Sequence, residues 1–154
     1  MPEKKPTLSA TSLPATGDRQ IKLADFKGKP VVVYFYPRDN TPGCTKQGQG
    51  FRDLYPEFQA LDCEIVGISR DSLASHEKFA AKQEFPFPLL ADTEAQLCGE
   101  FDVIKEKNMY GKKVMGIERS TFLFDAKGKL VREWRKARVP GHVEEVLEAV
   151  REMG

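Results

Sequence analysis

Val31-Val32-Val33-Tyr34-Phe35-Tyr36 is the longest strongly apolar run of the chain, bounded by Gly28-Lys29-Pro30 and by Pro37. Such a β-branched and aromatic run predicts a strand buried on both faces, which requires helices on both sides of the sheet. Upstream, alternations at Thr7-Leu8-Ser9-Ala10 and Gln20-Ile21-Lys22-Leu23 flank the turn signal Ala15-Thr16-Gly17-Asp18, predicting an extended leader with a small β-hairpin. Downstream, Thr41 stands at an N-cap position and Pro42 at the first helical position. Phe51, Leu54, Tyr55, Phe58 and Leu61 then repeat at helical spacing, and Pro56 within them is expected to kink or split the helix.

Residues 63–69 read as a second strand, and Asp71 or Ser72 can cap a helix carrying Leu73, Phe79 and Ala80. Pro86 and Pro88 end that helix before a short strand at Leu89-Leu90, and a short helix follows around Thr93 to Phe101. Ile104 to Glu118, with its lysines and glycines, reads as a long connection, either a functional or mobile one or a solvated loop. Residues 120–124 and 130–134 form a hairpin around Asp125-Ala126-Lys127-Gly128, and Val143, Val146, Leu147 and Val150 mark a terminal amphipathic helix. Alternating strands and helices followed by a hairpin and a last helix predict an α/β fold with a central mixed β-sheet flanked by helices, with thioredoxin-like topology as the best match.

Composition narrows the function classes. The chain has 154 residues, 40% hydrophobic and 31% charged, which suits a single domain spanning 1–154 with its own core. Lys and Arg total 24 against 23 Asp and Glu, a formal net charge of +1, so no global field gathers nucleic acid or anionic membranes. No run approaches the roughly 20 apolar residues of a transmembrane helix. Met1 to Pro6 carries charges but no following apolar stretch, so it does not read as a secretory signal, and the expected location is cytoplasmic. Three cysteines, Cys44, Cys63 and Cys98, are an odd number without a CxxC, and with only His76 and His142 they make no zinc signature.

Cys44 carries the candidate chemistry. It lies two residues after Pro42, in the first turn of the predicted helix and just beyond a central strand. Free N–H groups and the helix dipole at that position favour the thiolate, which is the nucleophilic form. Around it, Pro37, Thr41 and Cys44 have the Pro-x-x-x-Thr-x-x-Cys spacing of the peroxiredoxins. The fuller string Thr41-Pro42-Gly43-Cys44-Thr45-x-Gln47 resembles the bacterioferritin comigratory protein, or peroxiredoxin Q, subfamily. The likeness extends from Leu23-Ala24-Asp25-Phe26 through Phe87-Pro88-Leu89-Leu90 to Arg119-Ser120-Thr121-Phe122.

That resemblance implies a thioredoxin-like fold and a thiol peroxidase acting on hydrogen peroxide and organic hydroperoxides through a Cys44 sulfenic acid, with no metal or organic cofactor. It implies that Thr41 offers its hydroxyl to peroxide and thiolate, that Arg119 stabilises the developing charge, and that Pro37 shields the pocket. The subfamily's usual resolving positions hold Gln49 and, in the next long helix, Phe79-Ala80-Ala81-Lys82 rather than cysteine. A one-Cys cycle with an external thiol reductant such as thioredoxin or glutaredoxin is therefore expected. Cys63 reads as core. Cys98, on a short and more accessible helix, is the candidate resolving residue if its Cα can come within about 7 Å of that of Cys44. Gly48 and Gly50 suggest either that the first turns of the helix open easily or that a neighbour packs closely against them. A monomer or weak homodimer is expected. The competing reading is a thioredoxin-fold redox-sensing, chaperone or binding module with little turnover; a thiol–disulfide oxidoreductase is disfavoured by the missing CxxC.

Overall fold

The computed structural model describes residues 6–153; the Met1–Lys5 part of the reading of the leader lies outside them. Strand β3 (Val31–Phe35) is the buried strand expected, with every residue buried. It lies near the middle of a seven-stranded sheet formed with β1 (Ser12–Ala15), β2 (Arg19–Lys22), β4 (Glu64–Ser69), β5 (Leu89–Ala91), β8 (Ser120–Phe124) and β9 (Leu130–Trp134), in the order β2-β1-β5-β4-β3-β8-β9. Strands β3, β4 and β5 run parallel, while β8 lies antiparallel to β3 and β1 antiparallel to β5, so the sheet is mixed. This is the helix-flanked mixed sheet of thioredoxin-like topology that the sequence predicts, with the N-terminal hairpin β1–β2 added at one edge. The hairpin strand begins later than the Thr7–Ala10 alternation suggested. Ser9 instead gives its carbonyl to the Ala24 amide at 3.0 Å, next to the 3-10 turn Leu23–Phe26.

Alternation along β3 divides the interior in two. Val31, Val33 and Phe35 face a core with Leu97, Cys98, Phe101 and Phe122, whereas Val32, Tyr34 and Tyr36 face a core with Cys44, Phe51, Phe58 and Cys63. The second core is covered by α1 (Pro42–Ala60), α2 (Leu73–Gln83) and α4 (His142–Met153), and the first by α3 (Gln96–Glu100) and the segment after it. α2 is capped by Ser72, whose side chain accepts the Ser75 amide, which selects Ser72 over Asp71.

Two expectations need correction. Pro56 does not split α1, which is continuous from Pro42 to Ala60. A mid-helix proline costs roughly 3 kcal/mol, but Phe51 and Phe58 on either side of it are fully buried, and each contributes about 1.5–3 kcal/mol of burial. The second is Ile104 to Glu118, which is not a loop but an antiparallel ribbon of β6 (Ile104–Met109) and β7 (Lys112–Ile117), separate from the main sheet. Its turn places Tyr110 at φ 53° and Gly111 at φ 80°, the positive pair that two-residue hairpin turns demand. Lys112 to Met115 are all exposed, so the ribbon lacks the in-out alternation by which strands are read from sequence.

Candidate active site

The chain leaves β3 through Tyr36, whose amide donates to Ile68 O at 3.1 Å, and passes Pro37 before entering α1. Asn40 takes a left-handed φ of 60°, turning the loop so that α1 starts at Pro42. Thr41 occupies the N-cap position with extended backbone, but its hydroxyl does not cap. It donates instead to Arg38 O at 2.9 Å, which tightens the loop three residues ahead of Cys44.

Cys44 is 2% exposed, at the edge of the core under α1. Arg119 reaches it from the short link between β7 and β8, and its Nη2 donates to Cys44 Sγ at 3.3 Å. Two features hold the guanidinium there. Its Nη1 donates to Gln47 Oε1 at 2.5 Å, and its backbone carbonyl accepts the Ala137 amide at 2.8 Å. Gly43 makes room, since a Cβ at that position would stand 3.2 Å from Arg119 Nη2. Gln47 is completely buried, and its Nε2 has no partner among the described residues. Because a guanidinium only donates, the Gln47 oxygen is the atom that must face it. Sequence reasoning quoted Gln47 without a role; its position three residues after Cys44, on the same helix face, was the available signal.

Pro37 and Arg119 line one cleft of about 360 Å³ together with Lys105, Glu106, Lys107, Glu118, Lys136 and Ala137. The four sequence-derived residues thus fall into one neighbourhood: Cys44 and Arg119 in direct contact, Pro37 on the cleft wall beside Arg119, and Thr41 one helical turn before the thiol.

Cys98 does not join them, and its expected accessibility is corrected: it is 0% exposed and belongs to the core on the opposite face of the sheet from Cys44. Burial, with the Asp92 carboxylate beside it, pushes its thiol far above the usual range. Cys63 is core as expected, pushed up to about 12 by burial and by Glu64. It sits on the Cys44 side of the sheet but at its other end. Glu64 pairs with Val31 at the start of β3, whereas Cys44 follows the end of that strand.

Behind the loop from Pro37 to Thr41 lies a network with no sequence signal, because its members are far apart in the chain. Asp39 accepts from Tyr36 Oη at 2.6 Å, from Ser75 Oγ at 2.7 Å and from His76 Nδ1 at 2.7 Å, while His76 Nε2 faces Leu90 O at 2.9 Å. The Asp39 amide donates to Asp71. Both ring nitrogens of the fully buried His76 face acceptors, Asp39 Oδ2 on one side and Leu90 O on the other. Burial alone would raise the Asp39 carboxyl, but the His76 bond and charge with the two hydroxyls outweigh it and hold the carboxyl below its usual value.

Comparison with known proteins agrees with this geometry. The AhpC/TSA family pattern matches residues 4–133. The chain is 52% identical over 139 residues to the peroxiredoxin Bcp of Xanthomonas campestris, covering 90% of this chain and 87% of that one. It is 49% identical over 146 residues to the peroxiredoxin Bcp of Bacillus subtilis, covering 94% and 93%. Among solved structures, the bacterioferritin comigratory protein of Xanthomonas campestris, described for its alkyl peroxide reduction activity, superposes with a TM-score of 0.90 at 49% identity, covering 95% of this chain and 93% of that one. A helix-start cysteine held by an arginine from the link before β8, on this fold and at this identity, leads to one assignment: the chain belongs to the AhpC/TSA family, as a thiol peroxidase of the Bcp and PrxQ peroxiredoxins.

Proposed function

We propose that Cys44 is the peroxidatic cysteine and that the chain runs a one-Cys cycle. The observation that carries this is the Arg119 Nη2 to Cys44 Sγ bond of 3.3 Å beside the Pro37 cleft. The thiolate attacks the terminal oxygen of the peroxide, the S–O bond forms as the O–O bond breaks, and sulfur becomes a sulfenic acid while water or an alcohol leaves. Arg119 Nη2 donates to the sulfur and stabilises charge growing on the departing oxygen. Pro37 narrows the entrance. Thr41, whose hydroxyl proton is committed to Arg38 O, has lone pairs left to accept from the peroxide O–H.

Resolution then comes from outside. Cys98 lies across a continuous sheet from Cys44, whereas a disulfide needs Cα atoms within about 7 Å. The reductant is a thiol in general terms; we assign a thioredoxin- or glutaredoxin-type donor, able to attack the sulfenic acid or a mixed disulfide. Hydrogen peroxide and organic hydroperoxides are both substrates in this reading, and the reduction of alkyl peroxides named for the Xanthomonas protein supports the second class. The chain 1–154 works as one domain, as a monomer or weak homodimer. Among the described residues only Tyr110, Val114, Met115 and Val131 are large, apolar and exposed. No helix among the described residues is long and apolar enough to cross a membrane, and three free thiols suit the reducing cytoplasm.

Intact-mass spectrometry of the reduced protein after one equivalent of hydrogen peroxide, with and without a sulfenic-acid trap, tests the cycle. A trapped adduct absent from Cys44→Ser is expected. Loss of two hydrogens without trapping, abolished by Cys98→Ser, would replace the one-Cys cycle with an internal disulfide.

A further inference from the structure

The β6–β7 ribbon stands apart from the main sheet, yet it supplies one wall of the peroxide cleft. From it, Lys107 turns inward. Its aliphatic stem crosses Gly116 on the neighbouring strand, where an added Cβ would stand 3.4 Å from Cδ and 3.8 Å from Nζ, and its ammonium donates to Ile117 O at 2.5 Å. An ammonium has three N–H donors, so two remain for a group bound in the cleft. The two other lysines of the cleft are placed differently. Lys105 pairs with Asp102 at 3.3 Å, and Lys136 is exposed. Lys107 is half-buried and bonded to a backbone carbonyl rather than to a carboxylate. Burial and the nearby Arg119 charge hold its ammonium below the usual lysine value, against the opposing pull of Cys44 and Glu118.

The peroxidase reaction needs a proton at this place. When the thiolate takes the terminal oxygen, the other oxygen departs as alkoxide or hydroxide, a strong base. Arg119 can stabilise that charge but does not give up a proton near neutral pH. The Thr41 hydroxyl has turned its hydrogen toward Arg38 O.

We propose that Lys107 is the general acid of peroxide cleavage, its Nζ passing a proton to the departing oxygen as Cys44 Sγ takes the terminal one. The S–O bond forms, the O–O bond breaks, sulfur is oxidised to the sulfenic acid and both peroxide oxygens are reduced. The sulfenic acid keeps the hydrogen of the terminal O–H, an alcohol or water leaves, and neutral Lys107 recovers its proton from solvent. The proposal rests on the peroxidase reading above.

The test uses two oxidants that differ in how much they need an acid. tert-Butyl hydroperoxide expels a strongly basic alkoxide, whereas peracetic acid expels acetate, a weak base that leaves unprotonated. Rapid-quench mass spectrometry gives the rate of Cys44 oxidation by each, at mildly acidic pH where the peracid is neutral. The ratio of the two rates cancels any change in thiolate fraction or folded fraction within a variant. Lys107→Met and Lys107→Arg are expected to lower the hydroperoxide-to-peracid ratio about 100-fold, the usual worth of a general acid. Equal slowing with both oxidants, or none, overturns the role. So does a wild-type ratio in Lys107→Arg, which keeps the charge but not a transferable proton. Wild-type protein whose Cys44 reacts with neither oxidant would instead remove the peroxidase reading, and this role with it.

Discussion

Asp39→Ala removes the acceptor shared by three buried or half-buried donors: Tyr36 Oη, Ser75 Oγ and His76 Nδ1. The last belongs to a ring with no solvent exposure, paired to Asp39 at 2.7 Å. Breaking one side of a buried pair typically costs about 3–5 kcal/mol, because the other side is left uncompensated. We expect about 4 kcal/mol here, a large share of the roughly 5–15 kcal/mol that holds a domain folded. In urea, with a slope of about 2 kcal/mol per molar, the midpoint should fall by about 2 M. The double variant Asp39→Ala, His76→Leu removes the stranded group and should recover at least about 2 kcal/mol of that loss. A loss under about 1 kcal/mol for Asp39→Ala, or strict additivity in the double variant, would refute the reasoning. The same pair sets the acid limb. The Asp39 carboxyl is lowered in the fold from 3.8, so its contribution is complete above that value and is lost as pH falls through the lower native one. The wild type should therefore lose stability more steeply than Asp39→Ala below about pH 4.

Arg119→Met should lower the second-order rate of peroxide reduction by about 100- to 1000-fold, measured by stopped flow, because it removes the donor at 3.3 Å from Cys44 Sγ. Gly48→Ala should destabilise by about 1 kcal/mol in denaturant titration. Its Cβ would overlap the Phe85 ring, which is hemmed in by Phe79 and Phe87 at 5.1 Å, and overpacking at about 1–3 kcal/mol exceeds the helix gain of about 1; a more stable variant would show that Phe85 yields. In native protein, iodoacetamide should label Cys44 alone, with Cys63 and Cys98 reacting only after unfolding, since both are fully enclosed with thiols pushed upward. Peptide mapping distinguishes them.

The central strand, the start of α1 at Pro42 and the capping of α2 were legible because each depends on neighbours in sequence: a run of apolar residues, a proline after an N-cap, a serine ahead of a helical stripe. Pro37, Thr41 and Cys44 were legible for the same reason, and Arg119 through the resemblance. What escaped depends on distance. Asp39 and His76 are 37 residues apart, and nothing local announces that α2 lies against the loop. The ribbon escaped because β7 is exposed on both faces from Lys112 to Met115. Gly48 and Gly50 raised two readings, and the structure favours close packing. A Cβ at Gly50 would stand 3.0 Å from Val143, as one at Gly48 would meet Phe85, so the glycines set how near α1 lies to its neighbours.

The division of the interior by β3 has a consequence for timing. Cys98 is walled off behind the sheet and Cys63 stands at its far end, so in the one-Cys cycle proposed for Cys44 neither quenches the oxidised sulfur from within. The lifetime of that species is then governed by collision with thiols in the surrounding solution, and shortens in proportion to their concentration. The fraction of molecules found oxidised under a steady peroxide supply becomes a gauge of how much reducing thiol the surroundings hold.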